Sequence, residues 1–239
     1  MYSKTARYYD DIYASIDKDY VAEAAKLHSI IQRYKTSAGN SLLDVACGTG
    51  VHAGLLAKYY QVEGLDLDPK MLSVARKKHP TIRFHRGDMT DFDLKHRFDA
   101  VVCLFSSIGY VRTKSRLQKA IRRMSEHLLP GGVLLIEPWF TPAQWHRGRS
   151  SITQVIRPEL KIVRMSYGRQ RGKISILEFH YVVGTSKGIE YSMEIHELGL
   201  FTHKEYTRAF KAAELAVTHD PEGLDGRGLY IGTNQQKER

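Results

Sequence analysis

At 239 residues, with 42% apolar side chains and a charged share of 26%, the chain suits one α/β domain with an embellishment and is too apolar to be disordered. The formal net charge is +10, but Lys and Arg are scattered: Lys77 and Lys78, Arg122 and Arg123, the run Arg164 to Lys173, and the closing Lys237-Glu238-Arg239. A solvated surface and attraction of a phosphorylated small molecule are both open readings; no basic block interleaved with aromatics argues for nucleic acid.

The opening MYSKTARYYDDIYASIDKDY has no apolar run of signal-peptide length. No segment approaches the roughly 18 apolar residues of a membrane span. A soluble cytoplasmic protein with no membrane partner, as a monomer or homodimer, is expected. The chain then turns helical, with Val21, Ala24, Leu27, His28 and Ile31 at helical spacing. SLLDVACGTG is a short apolar strand closed by a glycine-rich turn, and VHAGLLAKYY a helix. QVEGLDLDP is a second strand, stopped by Asp68 as N-cap with Pro69 at the first helical position. TIRFHRGDM and FDAVVCLFSS are the third and fourth strands, the latter apolar enough for burial on both faces. TKSRLQKAIRRMSEHLLPGG is a helix closed by Pro130 and two glycines, and GVLLIEPWF a fifth strand.

This alternation predicts a parallel sheet covered on both faces. From about Thr141 to Phe201 the pattern changes to three or four alternating runs without helices, read as an inserted antiparallel sheet. A helix follows with Thr202 as N-cap, then strands AVTHD and GLYIGT. The predicted division is residues 1–140 with 202–239 as a Rossmann-like cofactor domain, and 141–201 as an inserted substrate or lid region.

Gly48-Thr49-Gly50 sits between the first strand and its helix, where a ligand can approach the backbone. Gly48 to Ala53 also fits the dinucleotide fingerprint G-x-G-x-x-A. Three carboxylates weigh against that reading. Asp44 would crowd a pyrophosphate but suits an ammonium group. Asp66 ends strand two and can take two ribose hydroxyls. Asp88 ends strand three and can accept from an adenine amine, with Met89 covering the ring. Any one alone is more often a turn former. Together they describe S-adenosylmethionine.

On these residues the chain resembles the class I methyltransferases: LLDVACGTG, GLDLDPKML and GDM look like their first three motifs. FSSIGY, GGVLLIEPWF, GRGLYIG and the opening YYDDIY…KDY resemble, more narrowly, the N,N-dimethyltransferases of TDP-linked amino sugars. The likeness covers nearly the whole chain. It implies a Rossmann-like sheet with an antiparallel last strand, and an antiparallel lid. It also implies in-line transfer of a methyl from S-adenosylmethionine to an amine, with S-adenosylhomocysteine as product. Carried over, Tyr13 and nearby aromatics close over the cofactor. Ala46, Gly48 and Gly50 meet it through the backbone, and Asp66 with Leu67 holds the ribose. Asp88 and Met89 hold the base. Phe105, Ser106, Ser107 and Tyr110 lie where the methyl is delivered, and Glu137 and Trp139 line the sugar pocket. Arg227 pairs with a diphosphate oxygen. Tyr110 and Tyr13 are expected to orient rather than exchange protons, since family members commonly carry His at the position of Tyr110 and a tyrosine with a pKa near 10 is a poor base.

The same residues bear on other classes of protein. Methylation of another small metabolite, a cofactor-binding module without catalysis, and an RNA methyltransferase remain as alternatives. Ser106-Ser107-Ile108-Gly109 is not the Asn/Asp-Pro-Pro-Tyr/Phe of amine-methylating DNA enzymes. Cys47 and Cys103 read as free, buried thiols, and the eleven histidines show no metal spacing. His180 and His196 read as core or pocket histidines.

Overall fold

A computed structural model describes residues 4–16 and 18–234. The first three residues of the tyrosine-rich opening and the basic close from Lys237 to Arg239 lie outside them. After a 3-10 turn at Ala6–Tyr8 come α1 (Tyr9–Ala14) and α2 (Tyr20–Tyr34), the latter capped by Asp19, which accepts from Ala22 N at 2.9 Å. Then follow β1 (Ser41–Val45), α3 (Val51–Leu56), β2 (Gln61–Asp66), α4 (Pro69–Lys78), β3 (Arg83–Arg86), β4 (Phe98–Cys103), α5 (Lys114–Glu126) and β5 (Leu128–Ile136). Asp68 caps α4 by accepting from Lys70 N at 2.8 Å, with Pro69 in the first turn. Next come β6 (Ser150–Ile156), β7 (Leu160–Arg171), β8 (Ile174–Thr185), β9 (Gly188–Gly199), α6 (His203–Ala212), β10 (Ala216–Asp220) and β11 (Leu229–Thr233). Thr202 and Glu205 form a reciprocal capping box on α6.

The main sheet has the order β10-β11-β5-β4-β1-β2-β3. Strands β1 to β5 are parallel; β11 runs antiparallel to β5, and β10 antiparallel to β11. The chain winds outward from β1 to β3, then returns past β1 to β4, so the order reverses between β1 and β4. That reversal opens a crevice at the carboxyl ends of the strands. Side chains alternate between two cores. Leu43, Val101 and Leu134 pack toward α5 and α6. Leu42, Ala100 and Val133 pack toward α2, α3 and α4. Both cores need continuous apolar strands, and every residue of β4 is buried.

The second sheet, β6-β7-β8-β9, is antiparallel throughout. Its inner face gathers Val155, Ile162, Phe179, Tyr181 and Val183 around Ile12 of α1. Its outer face leaves Ile152, Met165, Tyr167, Val182, Tyr191, Met193 and Ile195 exposed. The short α1 thus touches both units: Asp10 accepts from Thr49 Oγ1 at 2.5 Å and Lys78 Nζ at 2.6 Å, and Asp11 accepts from Arg157 Nη1 at 2.5 Å.

Boundaries differ from the sequence reading in three places. Strand four stops at Cys103, because the left-handed backbone of Phe105 and Ser106 turns the chain out of the sheet. Strand five begins at Leu128, and a register shift between Phe98 and Ala100 lets Pro130 and the two glycines bulge inside it rather than close a helix. The inserted sheet begins at Ser150, after a loop pinned by Thr141 and Gln144. No helix among the described residues is long and apolar enough to cross a membrane.

Candidate active site

The crevice holds a cavity of about 780 Å³ lined by Tyr9, Ala46, Gly48, Asp66, Leu67, Met71, Asp88, Met89, Ser107, Tyr110 and Arg116, among others. A smaller one of about 380 Å³ adjoins it through the shared Tyr9, Ala46, Gly48 and Ser107, and adds Tyr20, Asp44, Thr49, His52 and Phe105.

The turn after β1 explains how the backbone reaches the cavity. Ala46, Gly48 and Gly50 all have positive φ, at 61°, 56° and 77°. A Cβ on Gly48 would meet nothing within 4 Å, whereas one on Gly50 would come within 3.2 Å of Ala75 Cβ and Phe84 Cζ. Gly48 therefore faces open space. Gly50 packs against α4 and β3 as the N-cap of α3, and it lines neither cavity.

Each carboxylate is set differently. Asp66 accepts from Gly48 N at 2.9 Å and from Asp68 N at 2.8 Å, which aims it across the cavity floor. Burial pushes its pKa up in spite of those bonds. Asp88 accepts from Thr90 N and Oγ1 at 2.8 and 2.9 Å and from Arg116 Nη2 at 2.8 Å. Burial acts to raise its carboxyl, but these donors outweigh it and hold the group below its usual range. Asp44 is 2% exposed, and burial and the charge of Asp66 push it up to about 8. Among the described residues no cation offsets it. A buried, uncompensated carboxylate beside an open glycine turn fits the positive end of a methionine-derived cofactor, with Asp66 facing a ribose and Asp88 and Met89 facing a base.

The end of β4 supplies the far wall. Phe105 and Ser106 both sit in the left-handed region, at φ 52° and 60°, which costs on the order of 1 kcal/mol or more each. Three hydrogen bonds hold the turn: Phe105 N to Glu137 Oε2 at 2.5 Å, Ser106 Oγ to Pro138 O at 2.7 Å, and Gly109 N to Ser106 O at 2.9 Å. Gly109 allows close approach, since a Cβ there would lie only 3.0 Å from Leu198 and 3.1 Å from Trp139. Phe105 and Ser107 reach the cavities, while Ser106 is buried behind them and lines neither.

Phe105 is flanked by two cations. Lys18 Nζ lies 4.3 Å from its ring centre and the Arg227 guanidinium 5.5 Å. Arg227 also donates to Ser106 Oγ at 2.9 Å, pairs with Asp225, and places Nε 3.8 Å from Glu137 Oε1. Lys18 pairs with Glu23, which also meets His52 Nε2 at 2.8 Å. Glu137 is fully buried; burial raises its pKa, Arg227 pulls it back, and it stands at about 7.

Tyr13, Trp139 and Tyr110 fare differently. Tyr13 lines neither cavity; its ring packs on Tyr9 and Phe105 at 4.6 and 4.8 Å, beneath the Arg164 guanidinium at 5.2 Å. Tyr9, four residues earlier, takes the cavity wall. Trp139 donates through Nε1 to Ser175 Oγ at 2.8 Å and so ties β5 to the inserted sheet. Tyr110 lines the larger cavity and meets Nδ1 of His196 at 2.7 Å. Tyr9 and Tyr20 are among the N-terminal aromatics expected near the cofactor; Lys18 was not singled out from sequence. His180 lies away from the site, paired with Tyr191 on the outer face of the inserted sheet at 2.7 Å. Cys47 and Cys103 are free, and no group of three or more potential metal ligands occurs among the described residues.

The reversed strand order, the antiparallel last strand and the graded carboxylates define a class I, S-adenosylmethionine-dependent methyltransferase. Residues 42–132 match a methyltransferase domain family. The chain is 42% identical to a dTDP-3-amino-3,6-dideoxy-alpha-D-glucopyranose N,N-dimethyltransferase of Streptomyces fradiae, over 95% of this chain and 89% of that protein. It resembles the crystal structure of Streptomyces venezuelae DesVI with a TM-score of 0.90 and 40% identity, covering 95% of this chain and 97% of the other. An amino pentose methyltransferase from Micromonospora echinaspora, solved with S-adenosylmethionine bound, gives a TM-score of 0.86 and 37% identity, covering 95% and 96%. The chain belongs to the family of the TDP-amino-sugar N,N-dimethyltransferases.

Proposed function

We propose that this enzyme N-methylates the amino group of a TDP-linked deoxyamino sugar, and that residues 141–201 form the region closing over it. The observation that carries the reading is Arg227. It is a half-buried cation held against Phe105, which lines the smaller cavity, by Asp225 and Ser106, with Lys18 over the same ring. A planar guanidinium so placed suits the diphosphate of an anionic substrate, and the carboxylates that hold it keep it oriented until substrate arrives. S-adenosylmethionine, when bound, supplies an electrophilic methyl. The protein's part is then to align the amine and to exclude water. Phe105 and Ser107 shape that meeting place. Asp44, Asp66 and Asp88 fix the cofactor, and Tyr110 faces the acceptor nitrogen. The Streptomyces fradiae relative acts on a dTDP-linked amino sugar and the Micromonospora neighbour is an amino pentose methyltransferase, and both support the substrate class.

Incubation with S-adenosylmethionine and a TDP-3-amino-3,6-dideoxyhexose, read by mass spectrometry, should show mass gains of one and then two methyl groups. Methyl incorporation into RNA but not into the sugar would overturn the reading. Arg227→Ala should raise the KM for the sugar about tenfold or more, the worth of a charge-assisted phosphate contact. S-adenosylhomocysteine affinity should hold.

A further inference from the structure

Tyr110 does not end at the cavity wall. Its hydroxyl lies 2.7 Å from Nδ1 of His196, a residue of β9 that is 1% exposed. On its other side, His196 Nε2 lies 3.6 Å from Glu194 Oε2. Residues two apart on a strand share a face, so β9 presents Glu194 and His196 together on the inner face of the inserted sheet. Glu194 is itself held by Lys4 N at 2.8 Å and Thr5 Oγ1 at 2.9 Å. The Phe179 ring covers His196 at 5.0 Å, and Arg164 of β7 stands over the same ring. Three polar groups thus run in line from the cofactor cavity into the insert.

We propose that Tyr110, His196 and Glu194 form a relay that removes the proton from the acceptor nitrogen, with Tyr110 as the catalytic group that touches the amine. The proposal rests on the N-methylation reading above. A methylated amine carries one proton too many to accept a second methyl. Its N–H bond breaks toward the Tyr110 oxygen while the Tyr110 O–H bond breaks toward His196 Nδ1. The nitrogen regains its lone pair, the tyrosine stays neutral throughout, and the imidazole becomes an imidazolium beside the Glu194 carboxylate. Tyrosine's own weakness as a base is no obstacle, because tyrosinate never forms.

The surroundings suit each partner. Burial acts to raise the Glu194 carboxyl, but the nearby His196 ring and the hydrogen bonds from Lys4 N and Thr5 outweigh it and keep the group ionised. An ionised Glu194 favours the proton on Nε2, which leaves Nδ1 to accept from Tyr110. Burial lowers the pKa of His196; Glu194 opposes that and Arg164 adds to it. The resting ring is neutral, and the imidazolium gives its proton to water when the site opens.

His196→Asn keeps an acceptor for Tyr110 but cannot take up a proton, and Tyr110→Phe removes the link. Each should bind S-adenosylhomocysteine like the wild type and lose about tenfold or more in the second methylation near neutral pH. Each should recover as pH rises toward the pKa of the amine, where the wild type is flat. The double variant should be no worse than either single one. Additive losses, or a pH profile unchanged in both variants, would overturn the relay. Nitrogen-15 NMR of the wild-type imidazole gives a reading that needs no substrate: a neutral ring protonated on Nε2, with an Nδ1 signal that moves in Tyr110→Phe. A ring protonated on Nδ1 would also overturn it. Wild-type protein that methylates no amine would instead sink the N-methylation reading, and the NMR tautomer would still decide the relay.

Discussion

Asp44 is where one residue sets a measurable property of the whole site. Its carboxyl, pushed up to about 8 by burial and Asp66, holds a proton at neutral pH before the cofactor binds. A positive group beside it favours the ionised form, so binding must expel that proton. Affinity for S-adenosylmethionine should therefore weaken as pH falls below about 8, by at most about tenfold per unit, and level off above. Calorimetric titration in two buffers of different ionisation enthalpy measures the proton directly. Asp44→Asn should release none and bind less tightly; a wild type that releases none would refute the assignment. The three carboxylates were picked out from sequence by their places near the carboxyl ends of successive strands: Asp44 is next to last in β1, Asp66 last in β2, and Asp88 two residues past β3. Their different charge states were not legible there, since burial and the Arg116 contact to Asp88 come from the fold.

At the scale of single elements, α1 carries the most consequence for its size. Ile12 is 2% exposed and wedged among Val155, Ile162, Phe179 and Tyr181 of the inserted sheet. Ile12→Ala should cost about 2 kcal/mol or more by urea unfolding. It should also weaken S-adenosylhomocysteine severalfold, because the wedge sets the helix that carries Tyr9 to the cavity wall. Intact cofactor affinity in the destabilised variant would show that Tyr9 is placed by other contacts. Helical spacing put several tyrosines on the opening segment but could not say which reaches the ligand. Tyr9 and Tyr13 share a helix face, and packing of Tyr13 against Phe105 decides between them. The end of strand four was hidden for a related reason. Phe105 and Ser106 adopt a backbone usually left to glycine, so their sequence gives no sign of a turn.

Over the whole molecule, the alternation of strands and helices and the insert could be read from apolar periodicity, whereas the antiparallel last strand came from the family resemblance. The contacts that complete the site could not be read in either way. Tyr110 meets His196 and Arg227 meets Ser106 across 86 and 121 residues, and no local pattern encodes such pairs. Paired and buried carboxyls give the apo protein a two-sided pH response. Glu205 stands at about 2 because Lys114, Thr202 N and Lys173 outweigh its burial. Its stabilisation is present above the unfolded value of about 4.5 and is lost as pH falls toward 2. Asp44 and Glu137, raised to about 8 and about 7, do the reverse. The folded state holds protons that the unfolded chain has released, so their contribution declines as pH rises from about 4 to 8 and is flat beyond. Thermal unfolding of the apo enzyme should fall across that upper window, and Asp44→Asn with Glu137→Gln should flatten it. A double variant with the wild-type slope would assign the effect elsewhere.

Adjacent residues on α1 hold two different chambers: Asp10 grips Thr49 beside the cofactor, and Asp11 grips Arg157 on the insert. Any displacement of α1 would therefore break both contacts together.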